Sequence, residues 1–438
     1  MNRLNKLELF DRLAARSVAL DAELMRVVAS IVDGVRARGD AALIDYTARF
    51  DKVELKQLRI SEDELRRCAA RADERVRQAL REAIENVTEF HERQVEDSWT
   101  IRPRQGVQLG QRITPLERVG LYVPGGTAAY PSSVVMNVVP AQVAGVERII
   151  VTTPPRTLSE SPAVAAALLE LNVNEVYGVG GAQAIAALAF GTETVPRVDK
   201  ITGPGNKYVA AAKKLVFGVV GIDAIAGPTE VVIVADETAR AEFIAADLLA
   251  QAEHGEDASA VLITNSESLA TRVAAEVERQ AESLARREIV LASLKEYGAI
   301  VVVESLDEAC AIVNELAPEH VEIVTSDDEA TSQGIRHTGA IFFGAYTPEA
   351  VGDYIAGPNH VLPTGRTARF SSALGVYDFV KRTSLLRYSE RAFERVAESV
   401  GVLAESEGLG GHARSALIRK EGLTRRRSGA AEDAKLIY

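Results

Sequence analysis

Apolar positions follow two different periods along this chain, and the switch between them marks its organisation. Up to about residue 115, apolar side chains recur at helical spacing, as at 24–31 and 76–84, amid dense Arg, Glu and Asp. From Val119 to Pro228 the charge thins, and short β-branched runs at 148–153 and 175–179 flank an Ala-rich helical stretch near 162–171. A second series follows, with strand-like runs at 230–234, 260–264, 299–303, 321–324 and 340–343, and helical stretches at 238–254, 266–296 and 306–316. Strands alternating with helices predict βαβ units, hence an α/β protein with two parallel sheets. Past Lys381 the chain is charged and helical again. That extension is too small to bury a core of its own, so it is expected to pack on another subunit or on its own body.

Composition narrows the class. A chain of 438 residues, 47% hydrophobic and 26% charged, has room for two to three compact units. It needs neither disulfide nor structural metal merely to fold. A formal charge of -12 speaks against nucleic acid as a partner. The basic run at 425–427 is soon followed by Glu432 and Asp433 and reads as a solvated tail. The amino terminus lacks the apolar run of a signal peptide. The longest uncharged stretch, 119–146, is broken by Pro124, Pro131 and Pro140, a poor membrane span. A soluble, cytoplasmic protein is expected. The two cysteines, Cys68 and Cys310, sit in helical contexts and match no metal or redox motif, which suits a reducing compartment.

Four segments could carry chemistry. Gln251 and His254 are three apart, so on a helix they share a face, and Gly255 stops that helix behind them. The pattern reads either as a capping pair or as the start of a metal site. Glu319 and His320 follow Pro318 in a helix-to-strand turn, two bases of different strength, or simply a polar surface turn. Residues 352–365 pack turn-formers around Asp353 and His360 without helical or strand period, as site loops often do. Glu407 and His412 bracket a glycine-rich piece of the tail, read as a flexible loop. Of six histidines, four fall in these segments, leaving only His91 and His337 outside. Gln251, His254, Asp353 and His412 together supply one amide oxygen, two imidazoles and one carboxylate, a set suited to zinc with positions left for substrate.

Two Gly-rich turns open helices. Gly178, Gly180 and Gly181 follow a strand, but Gln183 stands where the usual dinucleotide fingerprint has its third glycine. The second turn runs from Thr202 through Gly203 and Gly205 to Asn206, and its N–H groups could receive a pyrophosphate. Either could equally be a tight structural turn, since glycine is favoured sterically in both cases.

Taken together, the motifs at 120–126, 180–187, 202–206, 226–230, 251–254, 317–320 and 357–364, and Glu407 before His412, resemble the histidinol dehydrogenase family. They stand in the family's order over nearly the whole chain. The resemblance implies a zinc-containing, NAD-dependent oxidoreductase of histidine biosynthesis, taking histidinol through its aldehyde to histidine. Gln251, His254, Asp353 and His412 would hold zinc, and Glu319 and His320 would be the acid–base pair. Tyr122, Gln183 and Asn206 would contact NAD. Substrate would meet Thr229, Gln251, His254, His320, Asp353, His360, Glu407 and His412. The resemblance also implies a homodimer with shared active sites, in which the tail crosses to the partner. Thr229 departs from the Ser of many relatives but keeps the hydroxyl, and Gly410 and Gly411 are looser than the Ala usually preceding His412.

The expected architecture is two Rossmann-like parallel-sheet domains with helical extensions at both ends. Residues 1–23 form the first extension. Residues 24–122 and 229–378 form a discontinuous domain with the zinc and acid–base residues, 123–228 an inserted NAD-side domain, and 379–438 the second extension. Three rivals remain at this point. A sister dehydrogenase could oxidise another small alcohol, such as a sulfonated diol. A zinc hydrolase would have no use for the glycine-rich turns, and a binding protein without activity would not need all four ligand positions.

Overall fold

The computed structural model describes residues 1–14, 21–125, 130–225 and 227–435, of which 423–435 as backbone only. Gly126 and Ala226 of the motifs above, and the basic side chains at 425–427, lie outside the described residues. Residues 1–95 and 115–379 form one compact unit, and 96–114 with 380–438 form a second.

The larger unit holds both parallel sheets. The first has six strands in the order Asn2–Arg3, Gly298–Val302, Ser259–Thr264, Glu230–Ala235, His320–Val324, Ala340–Phe343. Leaving aside the short amino-terminal strand, the chain starts at Glu230–Ala235, moves outward twice, then returns to add His320–Val324 on the opposite side. This reversal makes two strands 90 residues apart direct neighbours, with His320 opposite Val231 and Glu319 just outside the pair. Alternation along Glu230–Ala235 feeds two cores: Val231 and Ile233 pack with Ala241–Ala252 and Glu267–Ala281, while Val232 and Val234 pack with Leu306–Leu316. Each fully buried Val or Ile contributes about 1.5–3 kcal/mol. With helices on both faces, the strands read as largely apolar runs, as parallel sheets require, with Glu322 the charged exception inside a central strand.

The second sheet repeats the winding in the order Glu175–Gly178, Arg148–Thr153, Arg118–Tyr122, Lys200–Thr202, Gly221–Ile222. The division drawn at Tyr122 is displaced here, because Arg118–Tyr122 is the central strand of this sheet. The helices Ala22–Arg38 and Asp40–Phe50 cover one of its faces, and Glu62–Ala69 and Glu74–Glu92 the other. Their apolar stripes were legible, but a stripe names no partner: the expected division at 122 placed these helices with the first sheet, and they pack on the second. The stretch read as one helix over 266–296 is two, Glu267–Ala281 and Arg287–Tyr297. The amino-terminal extension is a strand on the edge of the first sheet followed by the helix Lys6–Ala14.

The smaller unit corrects the reading of a purely helical tail. Val380–Tyr388 is a strand, in a three-stranded sheet with Val107–Pro115 and Trp99–Arg104. All six residues of Trp99–Arg104 are exposed, although Trp99 and Ile101 alternate with Thr100 and Arg102; the reading of this region as helical passed over that short alternation. The helices Glu390–Glu394, Ala397–Ser406 and Gly410–Lys435 complete the unit. Glu407 closes the second of these and His412 lies in the first turn of the third, so neither sits on a flexible loop. Among described residues, no helix is long and apolar enough to cross a membrane.

Candidate active site

The connection at 223–229 leaves the carboxyl end of the second sheet and enters the amino end of the first, and it spans at most about 25 Å when extended. The chemistry-bearing residues lie on these two edges. Gln251 falls in the last turn of Ala241–Ala252, which runs back along the first sheet and therefore ends at its amino edge; His254 follows two residues beyond. Thr229 immediately precedes one central strand, and Glu319 precedes the strand that His320 begins.

Side chains interlock across that edge. Gln251 is fully buried, and its Nε2 donates to Thr229 Oγ1 at 3.0 Å. Thr229 Oγ1 donates to Glu319 Oε2 at 2.5 Å, and the Glu230 N–H donates to the same oxygen at 3.0 Å. Burial pushes Glu319 up to about 8, even against these two donors. His320 is buried too, and burial pushes its imidazole below the ordinary value. Its Nδ1 lies 3.2 Å from the Glu230 carbonyl, an obligate acceptor, which places the ring proton on Nδ1. Nε2 is thereby left basic; it is buried, has no hydrogen-bond partner, and lies 4.0 Å from Asp353 Oδ1.

Asp353 gathers the imidazoles. Its Oδ1 is 3.7 Å from His360 Nδ1, and its Oδ2 is 3.8 Å from His254 Nε2. Burial alone would raise Asp353; the hydrogen bond and charge of His360, then His320 and His254, bring it below the usual carboxylate value. Asp353 stands on a short helix, Glu349–Tyr354, and not in the loop read from the sequence. That helix supplies a residue the sequence reading passed over. Glu349 is one turn before Asp353, on the same face, with Oε1 3.6 Å from His320 Nδ1 and neither carboxyl oxygen partnered. The i, i+4 pair of carboxylates was a readable signal. Burial first, and then the charges of Asp353 and Glu319, push Glu349 well above the carboxylate range.

The donors suit a divalent cation. One ligand atom each from His254, Glu349 and Asp353 lie within 4.8 Å of one another. Gln251 Oε1 is buried without a partner at the same edge, and a buried polar atom left unsatisfied calls for an ion or ligand. An amide oxygen, an imidazole and carboxylates form a borderline-to-hard set appropriate to zinc. Of the four ligands expected, three lie in the larger unit; His412 and the substrate-site residue Glu407 belong to the smaller one.

On the second sheet, Tyr122, Gln183 and Asn206 all line one cavity of 770 Å³, together with Lys52, Arg156 and Gly181. It lies at the carboxyl edge, where the winding reverses between Arg118–Tyr122 and Lys200–Thr202, the usual nucleotide position in such sheets. Gly181 takes a positive φ of 65°, and a Cβ there would meet Gln183 Oε1 at 2.9 Å. Its N–H donates to the Tyr122 hydroxyl at 3.1 Å. Burial raises that phenol to about 12, so it remains a neutral hydroxyl. Asn206 caps Lys207–Val216, its Oδ1 accepting from the N–H groups of Tyr208 and Val209. Two of the N–H groups expected to await a pyrophosphate are thus already satisfied by this cap.

A cleft at one sheet edge and a buried Glu–His couple at the other suit an α/β oxidoreductase. The family model described as histidinol dehydrogenase matches residues 14–420. The chain is 56% identical over 400 residues to the histidinol dehydrogenase of Geobacillus kaustophilus, covering 91% of this chain and 94% of that one. It is 54% identical over 404 residues to that of Bacillus subtilis, covering 92% and 95%. The crystal structure of histidinol dehydrogenase from Elizabethkingia anophelis superposes with a TM-score of 0.87 at 36% identity, covering 92% of this chain and 93% of that one. The chain belongs to the histidinol dehydrogenase family.

Proposed function

We propose that this chain oxidises histidinol through histidinal to histidine, the last steps of histidine biosynthesis, with two NAD and one water consumed per alcohol. The observation that carries the reading is the linked set Gln251–Thr229–Glu319–His320–Asp353–His254, within hydrogen-bond or ion-pair distance throughout. The overall balance is one primary alcohol, two NAD⁺ and one water giving one carboxylate, two NADH and three protons.

In the first oxidation the bare Nε2 of His320 takes the hydroxyl proton as the carbinol hydrogen departs as hydride; its Nδ1–H, held by the Glu230 carbonyl, keeps the ring from turning. The aldehyde stays in place while Glu319, positioned by Thr229 and the Glu230 N–H, takes a proton from attacking water. Once the proton taken in the first oxidation has passed to solvent, His320 accepts again as the second hydride leaves. Tyr122, Gln183 and Asn206 would receive NAD, which would supply the hydride acceptor in both rounds. Gln251, His254 and Asp353 would hold zinc, which would supply a fixed cationic anchor for the substrate and take no electrons. Asp353 with His360 would orient the amino alcohol.

Family resemblance supports a homodimer in which Glu407 and His412 complete the partner's site, His412 as a further zinc ligand. The exposure of Leu386 (72%), Leu403 (65%) and Val402 (61%) in the smaller unit supports a covered surface there. A cytoplasmic location rests on the same resemblance.

Counting NADH against histidinol consumed tests the reaction directly. Two per substrate, with histidine as product, supports it; one per substrate with free aldehyde, or none, overturns it.

A further inference from the structure

The glycine-rich turn before Asn206 is gripped by an ion pair that the mechanism above does not use. Lys213, on Lys207–Val216, and Asp223, just past the edge strand Gly221–Ile222, meet at 2.6 Å with side chains 3% and 6% exposed. Both reach the same residue. Lys213 Nζ donates to the Gly203 carbonyl at 2.5 Å, and the Gly203 N–H donates to Asp223 Oδ2 at 2.8 Å. The two polar atoms of Gly203 are therefore bracketed by opposite charges, while the Asp223 N–H is anchored to the Ile201 carbonyl at 3.1 Å.

Gly203 is an unusual place for a lock. Its φ of 108° is open to glycine alone, and a Cβ would meet the Tyr122 carbonyl oxygen at 2.1 Å. The turn thus lies directly against the backbone of Tyr122 and leads within three residues to Asn206. With no side chain at 203 to pack, the turn has only its own N–H and C=O by which to be held. Burying a Lys–Asp pair costs desolvation that well-packed apolar residues would avoid, but apolar residues could not satisfy both a donor and an acceptor of one backbone residue.

We propose that Lys213 and Asp223 are positioning residues for the dinucleotide, clamping the Gly203 turn so that Tyr122 and Asn206 are presented to NAD in fixed register. This rests on the assignment of NAD to the Tyr122–Gln183–Asn206 cleft. The clamp acts on cofactor affinity and leaves the alcohol site, on the other sheet, unaltered.

The test uses the full-length protein, with NAD affinity by titration calorimetry, steady-state kinetics and thermal melting. The double variant Lys213→Met/Asp223→Leu removes both charges and so avoids stranding one. It is expected to weaken NAD binding about tenfold, with kcat at saturating NAD and the histidinol KM within about twofold of wild type. Asp223→Asn keeps an acceptor for the Gly203 N–H, loses the charge, and weakens NAD about threefold. If either folded variant binds NAD as wild type does, with only its melting temperature lowered, the pair is structural and the clamp is refuted. Asn206→Ala separates the two claims. Should it bind NAD normally, the cleft assignment itself fails; should it bind weakly while the clamp variants do not, only the clamp fails.

Discussion

Glu319→Gln is the most informative substitution, because the proposed mechanism gives that carboxylate a part in only one of two chemical steps. Glutamine keeps the size and the ability to accept from Thr229 and the Glu230 N–H but cannot take a proton from water. With Glu319 pushed up to about 8, about a tenth of it is ionised at pH 7 and half at the midpoint, falling tenfold for each further unit of acid. His320 is pushed the other way by its burial, so the two groups titrate in opposite directions from their ordinary values. The wild-type rate of histidinal oxidation should therefore rise with unit slope on a logarithmic scale and break at or below pH 8. A cation bound close by favours the carboxylate and moves that break towards acid. Removing a general base costs about 10²–10⁴ in rate, or roughly 2.7–5.5 kcal/mol of barrier. Stopped-flow NADH formation, started separately from histidinol and from histidinal in single turnover, resolves the two steps. The variant should lose that factor in the aldehyde step together with its pH slope, and much less in the alcohol step. Equal losses in both steps, or a pH slope that survives the substitution, would refute a water-activating Glu319.

Two further substitutions probe the same neighbourhood. Thr229→Ser retains the hydroxyl that Gln251 donates to and Glu319 accepts from, and should stay within about threefold of wild type. Thr229→Val removes a bond that lowers the Glu319 pKa, so its pH–rate break should shift to higher pH and the rate at pH 7 should fall at least about tenfold; an unmoved break, read from the pH profile, counts against the coupling. Cys68→Ser with Cys310→Ser should leave turnover near wild type: Cys310 is buried, its thiol donates to the Thr331 carbonyl at 3.3 Å, and burial raises its pKa. A loss of about 1000-fold in kcat would instead point to a thiohemiacetal route.

Much of the site was readable because its parts carry local signatures. Gln251 lies in the last turn of its helix as its spacing from Gly255 suggested, while His254 falls two residues beyond that helix and not on its face. Pro318 marks the short connection that leads from the helix to Glu319 and the strand begun by His320. The β-branched runs gave both parallel sheets. What no local pattern holds is adjacency. Thr229 and Glu319 meet because the sheet reverses direction after its first three strands, a choice made by the packing of whole helices. The same limit hid the allegiance of the helices between Ala22 and Glu92. Glu349 was missed for a different reason: its i, i+4 spacing to Asp353 could be read only on a helix, and the stretch around Asp353 was taken as a loop among glycines and prolines. Trp99–Arg104 alternates too briefly, with only Trp99 and Ile101 between polar neighbours, and Val380–Tyr388 sets Leu385 and Leu386 side by side, so neither declared a strand against the helical pattern around it.

Everything chemical in this account depends on Gln251, His254 and Asp353 sharing one divalent ion next to the Glu–His couple. Metal content after equilibrium dialysis against buffered zinc measures this, with folding of each variant verified by melting. One zinc per chain is predicted for the wild type, with affinity reduced at least about 100-fold in His254→Asn and in Asp353→Asn. A folded triple variant, Gln251→Ala with both of these, that still retains a full equivalent of zinc at wild-type affinity would contradict the site.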